Sequence, residues 1–153
     1  MLFKRQSSVD RLLTEENKKN LVEAIGNAEK NTSGEIRVHM EPVRRKDMSP
    51  FDRAVEIFEK LEMHNTELRN GILIYVALDD KEFAIFGDKG INEKVGEDFW
   101  NHEKDVMTDY FKQDDIIGGI VYFIGRIGEK LKEFFPCEED DVNELSNEIS
   151  VGE

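Results

Sequence analysis

A chain of 153 residues, 39% of them hydrophobic and only three of them proline, has the size and apolar content of one globular domain with no room for a second. Its formal charge of −13 repels phosphate backbones and anionic lipid, which argues against nucleic acid and membrane surfaces as direct partners. With Cys137 as the single cysteine, an intramolecular disulfide and a thiolate zinc cluster are both excluded, and a reducing compartment suits the chain.

Residues 1–11 read as an N-terminal extension. No long apolar segment follows Lys4 and Arg5, so the start does not have the form of a secretory signal. Thr14 followed by Glu15 and Glu16 marks a helix start, a side-chain cap and then acids favoured by the positive end of the helix dipole. Leu21, Val22, Ala24, Ile25 and Ala28 continue it at helical spacing to about Asn31, and Thr32-Ser33-Gly34 ends it. From Glu35 the period becomes two: Ile36, Val38 and Met40 alternate with Glu35, Arg37, His39 and Glu41, which predicts a half-buried strand.

After a basic connection, Ser49-Pro50 supplies a cap and a proline at the first helical position. The second helix has Phe51, Ala54, Val55, Phe58 and Leu61 as its apolar face and stops near His64. Ile72 to Leu78 is apolar on both alternating faces, as a strand covered on both sides must be. Asp79-Asp80 makes a tight turn, and Phe83-Ala84-Ile85-Phe86 pairs back, closed by Gly87-Asp88-Lys89-Gly90. The last third is helical in three pieces, near residues 92–95, 98–111 and 116–135, with Gln113-Asp114-Asp115 between the last two. The longest strongly apolar stretch, residues 116–124, falls far short of the roughly 20 residues that span a bilayer. Beyond Pro136, residues 137–153 carry more than half of the net charge and few aliphatics, which predicts a disordered acidic tail. Helices alternating with strands in this order imply an α/β fold, a three-layer α/β/α sandwich with a small mixed sheet and helices on both faces.

The segments Thr32-Ser33-Gly34-Glu35-Ile36-Arg37-Val38-His39, Arg69-Asn70-Gly71-Ile72-Leu73-Ile74-Tyr75-Val76-Ala77 and Phe83 to Asn92 together resemble the TPM-domain family. That family is named for a thylakoid-lumen phosphatase-like protein, a photosystem II repair protein and a nematode receptor modulator. Asp98-Phe99-Trp100 and the Gly118-Gly119 helix extend the resemblance over residues 12–136, and it is close to the small bacterial branch without a membrane anchor. It implies divalent-cation binding, a weak acid-phosphatase activity in some members, and maintenance of other complexes in others.

Asp79 and Asp80 follow a buried strand, where ligands of α/β sheets tend to bind. If the first two strands run parallel and the third returns, the helix after it brings Asp114 and Asp115 back to the same end. Four carboxylates there suit a hard cation, Ca²⁺ or Mg²⁺. The same acids alternatively serve as ordinary turn residues. Glu41, Asp47 and Asp109 are reserve ligands. His39, His64 and His102 lack metal-ligand spacing and are read as surface or strand-face residues.

No nucleophile elbow and no aspartyl-phosphatase spacing is present, and the Gly87 to Gly90 turn lacks the spacing of a phosphate loop. The expectation is therefore a cytoplasmic, monomeric, non-catalytic cation-binding module with a protein partner the sequence does not identify. The alternative is a metal-dependent acid phosphatase of low activity, drawing substrate contacts from Arg44, Arg45, Arg69 and Lys81.

Overall fold

The computed structural model describes residues 6–137 and 149–152. A short helix, α1 (Ser8–Leu12), opens with Ser7 and Asp10 capping each other, and α2 (Glu15–Glu29) begins where Thr14 Oγ1 accepts the Asn17 N–H at 3.1 Å. β1 (Glu35–Glu41) leads into α3 (Pro50–Lys60), whose cap is Ser49 and whose first residue is Pro50. Then follow β2 (Gly71–Ala77), β3 (Glu82–Gly87), α4 (Lys89–Val95), α5 (Glu97–Lys112), α6 (Ile116–Phe134) and β4 (Ser150–Val151).

The strands form one sheet in the order β3-β2-β1-β4. β1 and β2 are parallel, running in register from Glu35 opposite Gly71 to Glu41 opposite Ala77, with α3 as their crossover. β3 is antiparallel to β2, and β4 lies parallel to β1 beside His39 and Met40. All seven residues of β2 are buried, because each face of the sheet is covered. Ile72, Ile74 and Val76 join Ile36, Val38 and Met40 in a large core with Leu21 and Ile25 of α2 and Ile120, Phe123 and Ile127 of α6. Leu73, Tyr75 and Ala77 face the other way, onto Ala54, Ile57 and Phe58 of α3. Each such aliphatic or aromatic side chain contributes roughly 1.5–3 kcal/mol on burial. The three-layer α/β/α architecture follows from these two cores.

Three features depart from the sequence expectation. The residues read as an N-terminal extension include α1, whose Val9 is only 1% exposed and belongs to the main core. β1 is not half-buried but covered on both faces: Glu35, His39 and Glu41 of its polar face are exposed by only 3%, 7% and 3%. Glu41 is met by Arg53 of α3, and residues 150–152 lie over His39 and Glu41. Ser150–Val151 adds a strand to the sheet and the Gly152 N–H donates to the Met40 carbonyl at 2.6 Å, so these residues of the expected disordered tail lie in the sheet. The acidic stretch 138–148 lies outside the described residues.

Candidate functional site at the carboxyl ends of the strands

Because β1 and β2 are parallel, the loop after β1 and the β2–β3 hairpin share one end of the sheet. The strand ends stay joined there: the Leu78 N–H donates to the Glu41 carbonyl at 2.9 Å and the Asp79 N–H to the Pro42 carbonyl at 2.7 Å. Lys81 turns the hairpin with a left-handed φ of 53°. Asp80 Oδ2 accepts the Arg44 N–H at 2.8 Å, which ties the loop to the turn.

The helix α5 returns toward this end. Asp114 takes a left-handed φ of 58°, and Asp115 Oδ1 accepts the Gly118 N–H at 3.0 Å to cap α6. Lys81 Nζ lies 3.3 Å from Asp114 Oδ1, so the hairpin tip and the turn between α5 and α6 meet across an ion pair. Asp79, Asp80, Asp114 and Asp115 are all exposed. Among the described residues, no group of three or more His, Cys, Asp or Glu side chains is gathered as a metal cage. The arrangement is two acidic turns joined by a lysine cation.

Two of the three reserve ligands are otherwise engaged. Glu41 is buried and bound by Arg53; Asp47 pairs with Arg45 at 3.0 Å, a contact that holds its carboxyl below the ordinary range; Asp109 is exposed on α5. The four candidate substrate-binding cations are also paired with carboxylates. Arg44 meets Glu82 at 2.7 Å, Arg45 meets Asp47, Arg69 holds buried Asp88 at 2.6 and 2.9 Å, and Lys81 meets Asp114.

A second polar constellation lies beneath the surface on the α3 side. Arg53 Nε and Nη2 donate to the two oxygens of Glu41 at 3.0 and 2.9 Å, the Tyr75 hydroxyl donates to Glu41 Oε1 at 2.5 Å, and Arg53 also meets Glu56. His39 Nδ1 shares a 2.8 Å hydrogen bond with Ser150 Oγ, and its Nε2 stands 3.8 Å from Glu41 Oε2. A Cβ at residue 152 would run into His39 Nε2 and the Glu41 side chain, so the glycine there lets the chain lie flat over both.

Burial drives the His39 pKa down to about 4 despite the nearby Glu41 carboxylate, so the ring is neutral in the fold. Burial would raise Glu41, but the Arg53 guanidinium and the Tyr75 hydroxyl outweigh it and hold the carboxyl below its ordinary value. Tyr75 is pushed up by burial and by that carboxylate. Sequence periodicity did not find this cluster, since it marks Glu41 and His39 as a polar face; the one available signal was Tyr75, a hydroxyl inside an otherwise apolar strand that needs a buried partner.

A mixed sheet between one helix and a layer of helices, with acidic turns beyond the ends of its parallel strands, defines a small α/β/α domain. Residues 8–130 match the family model described as the TPM domain, and the chain belongs to that family. It is similar to the BA42 protein of the psychrophilic bacterium Bizionia argentinensis, known from an NMR structure, with 48% identity, a TM-score of 0.86, and coverage of 96% of this chain and 100% of that one. The fold is shared with the N-terminal domain of the cg2496 protein of Corynebacterium glutamicum at 10% identity and TM-score 0.63, covering 95% of this chain and 90% of that one. It is shared too with the N-terminal domain of a P. gingivalis protein at 15% identity and TM-score 0.68, covering 80% and 78%. No curated protein matches the chain. No described helix is long and apolar enough to cross a membrane.

Proposed function

We propose that the chain is a non-catalytic TPM module that binds a divalent cation, Ca²⁺ or Mg²⁺, at the acidic loop end and assists assembly or maintenance of another protein. The observation that carries this reading is the Lys81–Asp114 contact, which puts the hairpin tip carrying Asp79 and Asp80 beside the turn carrying Asp114 and Asp115. Exposed carboxylate oxygens are the donors a hard cation takes, and exposure leaves room for the waters that complete its shell. Lys81 serves there as an internal counter-ion, and the cation replaces it. Affinity is accordingly modest, since the turns are not gathered into a cage beforehand.

The non-catalytic part rests on the other titratable cluster. His39, Glu41 and Tyr75 all have their protonation shifted by their surroundings, and they are buried beside Arg53 of α3 and residues 150–152, away from any substrate. Arg44, Arg45 and Lys81, the candidate substrate cations at the acidic end, are each already paired with a carboxylate, which weakens the case for phosphate binding there.

Calorimetric titration of metal-free protein with Ca²⁺ and with Mg²⁺, paired with amide shift mapping, tests the site. Binding in the millimolar range or tighter is expected, with shifts at residues 79–81 and 114–115. Asp79→Asn with Asp80→Asn abolishes it, and Lys81→Ala strengthens it about threefold or more by removing the competing ammonium. Absence of heat and of shifts at millimolar metal refutes the reading.

A further inference from the structure

β3 is the outermost strand of the sheet, so alternate N–H and C=O groups of its far side point away from β2. No described residue forms a hydrogen bond to them between Phe83 and Phe86. A groove of about 600 Å³ runs along this edge, lined by consecutive residues of the hairpin from Lys81 to Ile85. Consecutive residues point to opposite faces of a strand. A cavity that touches all of them therefore faces the backbone edge itself. Its walls are the start of α3, with Phe51, and α5, with Lys104, Thr108 and Phe111. A second cavity shares Phe51, Ile85 and Lys104 and continues to Gly87, so the groove follows the whole strand.

Edge strands are ordinarily guarded by proline, by charge on the strand, or by an overlying loop. β3 reads Glu82-Phe83-Ala84-Ile85-Phe86-Gly87, and its one charge, Glu82, is turned into an ion pair with Arg44. The groove is apolar inside: Phe51 is 48% exposed beside it and stacks edge-on against Phe86 at 5.8 Å, while Phe83 packs on Phe111 at 4.9 Å. Three lysines stand around it, Lys81, Lys104 and Lys112, and they come from the turn and from α5 rather than from the strand. Lys104 and Lys112 have no carboxylate partner among the described residues. With Lys81 held by Asp114 and Glu82 by Arg44, Lys104 and Lys112 leave the groove's lining net positive on a protein of net charge −13.

We propose that the outer edge of β3 is a docking site for an extended acidic peptide of another protein, which joins the sheet as a further strand. Backbone hydrogen bonds to β3 supply sequence-independent affinity, Phe51, Phe83 and Phe111 take its apolar side chains, and the lysines take its carboxylates. A second copy of this chain is a poorer occupant: its own β3 brings no acid but Glu82, which Arg44 already holds. The docking holds whether or not the loop end takes a cation.

The test is amide shift mapping of the isotope-labelled full chain, in EDTA, with an acetylated peptide of about eight residues that alternates glutamate with valine and phenylalanine. Saturable shifts are expected at residues 83–86, Lys104 and Thr108 at peptide concentrations below about 1 mM. Replacing the peptide's glutamates by lysines, or methylating its alternate backbone nitrogens, weakens binding by about tenfold or more, since each removes one of the two interactions invoked. In the protein, Lys104→Glu with Lys112→Glu reverses the preference between the acidic and basic peptides; if that variant does not fold, the peptide series on the unaltered chain decides. No shift at about 2 mM, equal affinity for the methylated peptide, shifts centred elsewhere, or dimerisation through β3 that the peptide does not relieve would each overturn the proposal.

Discussion

The buried histidine sets the acid sensitivity of the fold. His39 is faced by Glu41 of its own strand, Arg53 of α3, Tyr75 of β2 and Ser150 of β4, with Arg37 nearby. Its ordinary pKa of 6.5 falls to about 4 in the native state, chiefly because the enclosed ring cannot hydrate a charge. Between those two values the unfolded chain binds the proton and the folded chain does not, so stability is intact above pH 6.5 and falls as pH drops toward 4. The gap corresponds to about 3 kcal/mol at full development, and to about 1.4 kcal/mol by about pH 5.5.

Carboxylates also titrate below about pH 5, so the informative quantity is a difference between two proteins. Urea unfolding of the natural chain and of His39→Gln at a series of pH values between about 7.5 and 4 gives two stability curves. The natural chain should lose about 3 kcal/mol more than the variant across that range, whatever the offset between them at neutral pH. Ring-proton shifts of His39 should show no titration above about pH 5. Parallel curves would refute the reasoning, because they would mean that the ring accepts a proton in place, through Glu41 or through opening of the strand above it.

Two structural predictions follow. Gly90→Ala should cost about 2 kcal/mol or more in urea unfolding, because a Cβ there drives into the Leu68 and Arg69 carbonyl oxygens while the Gly90 N–H is held by the Arg69 carbonyl at 2.8 Å. Arg126→Ala should cost about 2 kcal/mol by stranding the fully buried Glu103 carboxylate, below the range for a wholly buried pair because Arg126 is itself partly exposed; the double variant Glu103→Leu with Arg126→Leu should recover most of the loss.

The sequence made most of the scaffold legible because its signals were local. Thr14 and Ser49 cap the helices they were expected to cap, β2 is buried on both faces as its unbroken apolar run required, and the Asp79-Asp80 turn opens a hairpin. The signals that failed were those too short for a period or dependent on distant cover. α1 has five residues and β4 has two, so neither offers a repeat to read. The alternation of β1 was read correctly as two faces, but its polar face was assigned to water when Arg53, twelve residues from Glu41, reaches back to neutralise it. Phe51 illustrates the converse: it sits on the apolar side of the second helix by spacing, yet α3 begins at the edge of the sheet and leaves it over the β3 groove.

Burial separates two sets of acids in this chain that differ in chemistry. Glu41, Asp88 and Glu103 are enclosed, and each is met by an arginine, Arg53, Arg69 or Arg126, because an unpaired carboxylate away from water costs several kcal/mol. Such pairs have no unmet charge to offer a ligand. Asp79, Asp80, Asp114 and Asp115 stay in water with Lys81 shared between the two turns, so their negative charge is only partly compensated at the end where the parallel strands open. The β3 edge is the reverse case, with unpaired backbone groups and unpaired lysines around an apolar floor. A cation and an acidic strand would thus be drawn to adjacent parts of one hairpin, and Lys81, which lines the groove and touches Asp114, is the residue through which binding at one would alter the other.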